Sequence, residues 1–242
     1  MVFPELRLLV LQHISCEPPG VFSEVMRERG AETVAVELDE NEPLPDWRDF
    51  DGVVAMGGPM GANDDAEHPW LTAEKQLVRE VVEAGQPFLG VCLGVQLLAS
   101  ALGAPVRTMD APELGVLPVE LTPEGRDHPL FEGVDDPFPS LQWHGDTFDL
   151  PEGAVPLARS PLANQAFQAG ERAFGIQFHT EVTPEMAREW AQVPEYRAYL
   201  AQALDEEKAA AFLEEVETRA TELHPNGRRL FGNWLELAGN SA

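Results

Sequence analysis

The residue best placed to do covalent chemistry is Cys92, in Gly90-Val91-Cys92-Leu93-Gly94-Val95-Gln96. A short apolar run, Gln86-Pro87-Phe88-Leu89-Gly90-Val91, leads into it and has the pattern of a buried parallel strand. Leu93, Gln96, Leu97 and Ala101 then recur at helical spacing until Gly103 and Pro105 end the helix. Cys92 thus falls on a strand-to-helix elbow. Such a turn strains its apex residue and crowds the positions two before and two after it, which gives Gly90 and Gly94 a steric reason. The elbow holds the sulfur at the positive end of a helix, where the thiolate is favoured.

A thiol nucleophile needs a base and a group to orient that base. Ala173-Phe174-Gly175-Ile176-Gln177-Phe178-His179-Thr180-Glu181 has the pattern of a strand entering a loop. His179 and Glu181, two residues apart, share one side of an extended backbone. The order Cys, His, Glu suits the roles of nucleophile, base and orienter. A third segment, Phe50-Asp51-Gly52-Val53-Val54-Ala55-Met56-Gly57-Gly58-Pro59-Met60-Gly61, is an apolar strand ending in glycines. Its backbone N–H groups can approach a ligand closely and donate half of an oxyanion hole, with the Leu93 amide as the other half. The glycines match neither the Walker nor the dinucleotide-binding spacing, so a phosphate cradle is not expected.

These three segments resemble the class I glutamine amidotransferases, a Cys-His-Glu glutaminase family. The resemblance is carried by Met56-Gly57-Gly58-Pro59, by the Cys92 elbow and by Gly175-Ile176-Gln177-Phe178-His179-Thr180-Glu181, in the family's order, and it spans most of residues 6–190. Glu113-Leu114-Gly115, Trp143-His144-Gly145-Asp146 and Asn164-Gln165-Ala166-Phe167 are similar to stand-alone GMP-synthase-like members. The resemblance implies a flavodoxin-like α/β fold in which Cys92 attacks the glutamine carboxamide and the Gly58 and Leu93 amides hold the oxyanion. His179 would protonate departing ammonia and then activate water, with Glu181 orienting it. Gln96, Gly57, Pro59 and His144 would contact substrate. Val95 stands where many members carry histidine, and Thr180 where many carry proline.

The 242 residues, 44% of them hydrophobic, suit one α/β domain over residues 1–242, with a helical C-terminal extension from about 184. Two cysteines offer no disulfide framework, because a Cys16–Cys92 bridge would consume the nucleophile. No paired Cys or His spacing suggests a metal, and no cofactor is expected. Met1-Val2-Phe3-Pro4-Glu5 lacks the basic start of a secretion signal and no apolar run is long enough to span a bilayer, so a cytoplasmic protein is expected. A formal net charge of −26 disfavours nucleic acid and membrane surfaces as partners.

The elements that must position the site alternate along the chain. Strands are expected at 6–12, 33–38, 52–56, 116–121, 140–143, 155–158 and 165–168, besides the elbow strand and the one before His179, with helices at 21–29 and 70–84. This order predicts a mostly parallel open sheet covered by helices, with a smaller antiparallel edge. Beyond residue 184 the pattern is helical: one helix over 205–223 stops near Pro225-Asn226-Gly227, and Leu230, Phe231, Trp234 and Leu237 form a further apolar face. His13, His68, His128 and His224 suit structural or surface roles.

Three functions fit. One is a glutaminase that passes ammonia to a separate synthase subunit in trans. The second is a stand-alone γ-glutamyl peptidase or hydrolase, and the third a non-catalytic binding or regulatory subunit, against which the intact Cys92, His179 and Glu181 argue. The chain has no ATP-binding loop and no stretch that would form a synthase domain.

Overall fold

In the computed structural model, which describes residues 6–240, four parallel strands lie side by side. They are β1 (Arg7–Gln12), β3 (Gly52–Ala55), β4 (Phe88–Val91) and β9 (Ala173–Ile176), with β2 (Glu32–Glu37) outside β1. Three of them, β3, β4 and β9, end at the segments singled out above. Helices α1 (Val21–Glu28) and α2 (Trp70–Glu83) make the parallel connections β1–β2 and β3–β4, and α3 (Leu93–Ala101) follows β4. Among the described residues the sheet has nine strands, in the order β2-β1-β3-β4-β9-β8-β7-β5-β6. Beyond β9 the pairings are antiparallel, through β8 (Asn164–Ala169), β7 (Val155–Arg159), β5 (Val106–Leu121) and β6 (Phe138–Phe148). The expected open α/β sheet with its antiparallel side is therefore present. Met1–Glu5, on which the secretion-signal reading rests, lies outside the described residues.

Period-two alternation divides the core between the two faces of the sheet. Leu8 and Val10 of β1 join Phe22 of α1 and Phe231 and Trp234 from the C-terminal helix. Leu9 and Leu11, one step out of phase, join Leu77 and Val78 of α2 and Leu97 and Leu98 of α3. Strands buried on both faces must be apolar throughout, which is why β3 and β4 lack polar alternation. A third cluster lies over β5 and β6, where the Trp143 ring packs against Trp190, Tyr196 and Phe212 at centroid distances of 5.7, 5.2 and 4.7 Å.

The antiparallel side departs from expectation in length. β5 runs 16 residues where a strand over 116–121 is expected, and β6 runs 11 where 140–143 is expected. The extra residues pair mainly with each other, interrupted by a register shift between Thr108 and Glu113, so their mixed composition is that of a ribbon with an exposed side.

The C-terminal region also differs. After α4 (Pro123–Arg126), α5 (Pro184–Trp190) and α6 (Pro194–Ala203) comes one continuous helix, α7 (Glu206–Gly239), with Pro225 inside it. The break expected at Pro225-Asn226-Gly227 does not occur. Proline removes one helical hydrogen bond, but neighbouring residues are fastened on both sides. His224 Nε2 donates to the Val182 carbonyl at 2.9 Å, and Asn226 exchanges two 3.1 Å hydrogen bonds with Asp135. A Cβ on Gly227 would lie 2.4 Å from the Thr180 carbonyl oxygen, so this glycine lets α7 touch the His179 loop. Among the described residues no helix is long and apolar enough to cross a membrane.

Phe22 is fully buried and stacks on Phe231 at 4.5 Å, which joins α1 to α7 across the face beneath the site. Phe22→Ala should lower unfolding free energy by about 3–5 kcal/mol. Chemical denaturation would read this as a lowered midpoint; an unchanged midpoint would contradict the packing.

Candidate active site

Cys92 is the single residue between β4 and α3, and it adopts φ 52°, ψ −104°. That conformation is costly for a residue with a side chain. It is held because the Cys92 N–H donates to the Ile176 carbonyl of β9 at 2.8 Å, while its own carbonyl accepts from Val95 and Gln96 in the first turn of α3. A Cβ on Gly90 would lie 2.4 Å from the Gly94 backbone, and one on Gly94 would lie 2.2 Å from the Ala55 carbonyl oxygen. Both glycines are thus required by close backbone approach. The sulfur lies at the N-terminal end of α3, whose first turn carries no acidic residue to offset the helix field.

His179 reaches the same place from β9. It exchanges two 2.9 Å backbone hydrogen bonds with Leu141 of β6, fixing the loop on which the ring is mounted. Nδ1 lies 2.6 Å from Glu181 Oε1, leaving Nε2 as the nitrogen for the hydrogen bond to Cys92. Burial of the ring disfavours its cation, but the Glu181 carboxylate and then the Cys92 sulfur outweigh burial and hold its pKa well above the usual value. Glu181 Oε2 accepts the Thr180 N–H at 2.9 Å, a hydrogen bond that proline at 180 could not make. The edge of Trp190 meets the His179 ring at 5.1 Å.

A cavity of about 440 Å³ opens above the sulfur, lined in part by Gly58, Pro59, Cys92, Leu93, Gln96 and His144. Among the described residues, neither the Gly58 nor the Leu93 N–H meets a protein acceptor. Two free donors beside one thiol can stabilise negative charge on an attacked carbonyl. Gln96 Nε2 donates to Gln177 Oε1 at 3.2 Å, and Gln177 Nε2 lies 3.6 Å from the Cys92 sulfur. His144 lines the cavity with both nitrogens engaged inward, at 2.9 Å from the Asp146 carbonyl and 3.0 Å from Gln142 Oε1. Gly57 lies behind the lining, against Glu17 and His179. Val95 faces away from the cavity and fills the space over Gly175.

Several residues around the site were not placed there by the sequence, His13 among them, which the sequence suited to a structural or surface role. Tyr196 and Tyr199 of α6 wall the cavity; burial, then Asp146 and Cys92, pushes the Tyr199 phenol up to about 12, so it stays protonated. His13 is fully buried between Gly57 and Glu74. Glu17 is buried against Gly57 with Oε1 unpartnered. Their one signal was position: His13 directly follows β1, the strand next to β3. Cys16 is a poor rival nucleophile, since burial and then Glu17 push its thiol up to about 12.

An elbow thiol, a buried imidazole–carboxylate pair and two free amides on a parallel sheet form an arrangement chemically suited to covalent acyl transfer. The chain matches the family model for glutamine amidotransferase class-I over residues 21–190, and it belongs to that family. It is 34% identical over 185 residues to the glutamine amidotransferase-like protein YfeJ of Salmonella typhimurium, covering 74% of this chain and 77% of that one. It is 40% identical over 133 residues to a GMP synthase [glutamine-hydrolyzing] of Thermomicrobium roseum, covering 54% of this chain but only 23% of the synthase. A glutamine amidotransferase structure from Thermotoga maritima superposes with TM-score 0.82 at 32% identity, over 98% of this chain and 99% of that one. Another, from Methylobacillus flagellatus, gives TM-score 0.82 at 28% identity over 96% and 94%.

Glu17 yields a pH prediction. Burial, opposed by His179 and His13 and reinforced by Glu181, raises its carboxyl from 4.5 to about 7. The folded protein then binds this proton more tightly than the unfolded chain, so its contribution to stability is lost as pH rises from about 4.5 through 7, on the order of 3 kcal/mol. Glu17→Gln should be more stable than the parent at pH 8 and equal to it near pH 4. Thermal unfolding across that range checks this; a constant difference would contradict it.

Proposed function

We propose that the protein is a glutaminase of the Cys-His-Glu type, releasing ammonia from the side-chain amide of glutamine. The observation that carries this reading is the convergence of the Cys92 sulfur, the His179–Glu181 pair and the free Gly58 and Leu93 amides at one end of β3, β4 and β9.

Cys92 attacks the carboxamide carbon as a thiolate, its proton held on His179 Nε2. As the C–S bond forms, the carbonyl electrons move to oxygen, which the Gly58 and Leu93 N–H groups receive. His179 gives its proton to the amide nitrogen, the C–N bond breaks and ammonia leaves. The γ-glutamyl thioester remains on Cys92. Neutral His179 then takes a proton from water, which attacks the thioester through a second oxyanion. Collapse expels the thiolate and releases glutamate. Glu181 holds Nδ1–H throughout and keeps Nε2 facing the sulfur.

The similarity to GMP synthases, 23% and 28% of whose length this chain matches, supports delivery of the ammonia to a synthase as its fate, in trans where that synthase is a separate subunit. A second reading, a γ-glutamyl peptidase or hydrolase, is favoured by the cavity extending past Cys92 to Tyr196, Gln202 and Ala203 of α6. Such a space suits a leaving group larger than ammonia.

Ammonia and glutamate release from glutamine, measured beside Cys92→Ala and a panel of γ-glutamyl peptides and amides, separates these readings. The proposal expects glutamine turnover that falls more than about a thousandfold in Cys92→Ala. Cleavage of another γ-glutamyl compound with glutamine ignored would establish the hydrolase instead. Inactivity on every substrate would overturn both.

A further inference from the structure

His13 is a fully buried imidazole with both ring nitrogens engaged. Nδ1 lies 3.1 Å from the Gly57 carbonyl oxygen, and Nε2 lies 2.9 and 3.1 Å from the two carboxyl oxygens of Glu74. A carbonyl oxygen only accepts, so Nδ1 must carry a proton whatever the state of Glu74. Glu74 is equally buried, on the apolar face of α2 between Leu71 and Leu77, and the Trp70 ring stacks on His13 at 5.6 Å. A carboxylate on the core face of a helix is costly unless paired. The pair therefore fixes the imidazole in position, tautomer and tilt.

The consequence lies in the next peptide. In a trans peptide the carbonyl of one residue and the N–H of the next point in opposite directions within one plane. The Gly57 carbonyl points back toward His13, so the Gly58 N–H points away from it. Gly58 lines the cavity above Cys92, and its N–H has no acceptor among the described residues. Glycine on both sides of this peptide leaves its dihedral angles less restricted than any other pair of residues would, so the anchored carbonyl is what selects the orientation.

We propose that His13, braced by Glu74, is a positioning residue: its Nδ1–H holds the Gly57 carbonyl and so aims the Gly58 N–H at the oxyanion formed on attack by Cys92. The inference rests on the reading of Gly58 as an oxyanion donor. His13 touches no substrate and acts through the peptide alone.

Two substitutions separate this role from that of a buried ion pair. An asparagine amide nitrogen falls near the place of Nδ1 and can still donate to Gly57, whereas a glutamine amide falls near Nε2 and can satisfy only Glu74. His13→Gln should lower kcat about 10–100-fold with KM within twofold, since the lost interaction operates in the transition state. His13→Asn, combined with Glu74→Leu to leave no buried charge, should recover at least tenfold of that loss. Glutamate γ-semialdehyde, whose carbonyl adds the Cys92 thiol to give a tetrahedral hemithioacetal with the proton on oxygen, should lose affinity for His13→Gln by the same factor as kcat. Iodoacetamide alkylation of Cys92, which forms no oxyanion, should stay within twofold in every variant.

Equal losses in the two variants, or a rise in KM alone, would overturn the proposal. Crystal structures decide it even without a known substrate. The Gly57–Gly58 peptide should rotate in His13→Gln and keep its orientation in the asparagine variant. An unrotated peptide in His13→Gln overturns the inference, while a parent protein inert on every γ-glutamyl compound overturns only the functional reading.

Discussion

The site depends on a backbone contact that no side chain is permitted to enter. β4 and α3 meet so closely at Cys92 that Gly90 and Gly94 lie against each other, and Gly94 lies against Ala55 of the neighbouring strand. This packing, together with the backbone hydrogen bonds of Cys92, holds that residue at positive φ. The same approach lets the Gly94 N–H donate to the Met56 carbonyl at 3.1 Å, joining the elbow to the strand that leads into Gly57 and Gly58. The candidate nucleophile and the strand that leads to the candidate oxyanion donors are therefore joined through backbone. A side chain at 90 or 94 would separate them before any chemistry was considered.

Around that piece the fold buries imidazole–carboxylate pairs, each bringing a different part of the site under control. His179–Glu181, at 2.6 Å, sets the ring beside the sulfur. His13–Glu74, at 2.9 Å, lies behind the glycine strand, and His144–Glu113, at 3.3 Å, lies in the cavity wall. Isolated buried charge is expensive, and mutual neutralisation makes these groups tolerable. The exposed ion pairs at the surface, such as Arg48–Glu80, contribute little by comparison. The net charge of −26 is thus mostly a property of the surface, and the acidic groups that matter to the site are the few withdrawn from it.

The placement of Cys92 on its elbow and of His179 beside Glu181 was legible in the sequence because it is local. A strand-turn-helix with glycines two residues on either side of a cysteine has one geometric interpretation, and a His and Glu two apart on a strand end share a side. What escaped is non-local. His13 and Glu74 are 61 positions apart and meet only once α2 packs on the sheet. Tyr199 reaches the cavity from a helix whose place the local pattern does not set. The Pro225-Asn226-Gly227 signal pointed to a helix end, but contacts with Asp135, Val182 and Thr180 carry α7 through it. Tertiary packing overrode local propensity there, as it did in the long β5–β6 ribbon.

The central claim is that Cys92, on its strained elbow, is the group that bonds to the side-chain carboxamide carbon of the substrate. Its most direct measurement is labelling with a glutamine analogue bearing a diazoketone in place of the carboxamide, followed by peptide mapping. The account predicts one stable adduct per chain, located on Cys92 and suppressed by glutamine or another γ-glutamyl ligand. Labelling of Cys16 instead, or labelling of Cys92 at a rate that no such ligand slows, would contradict it.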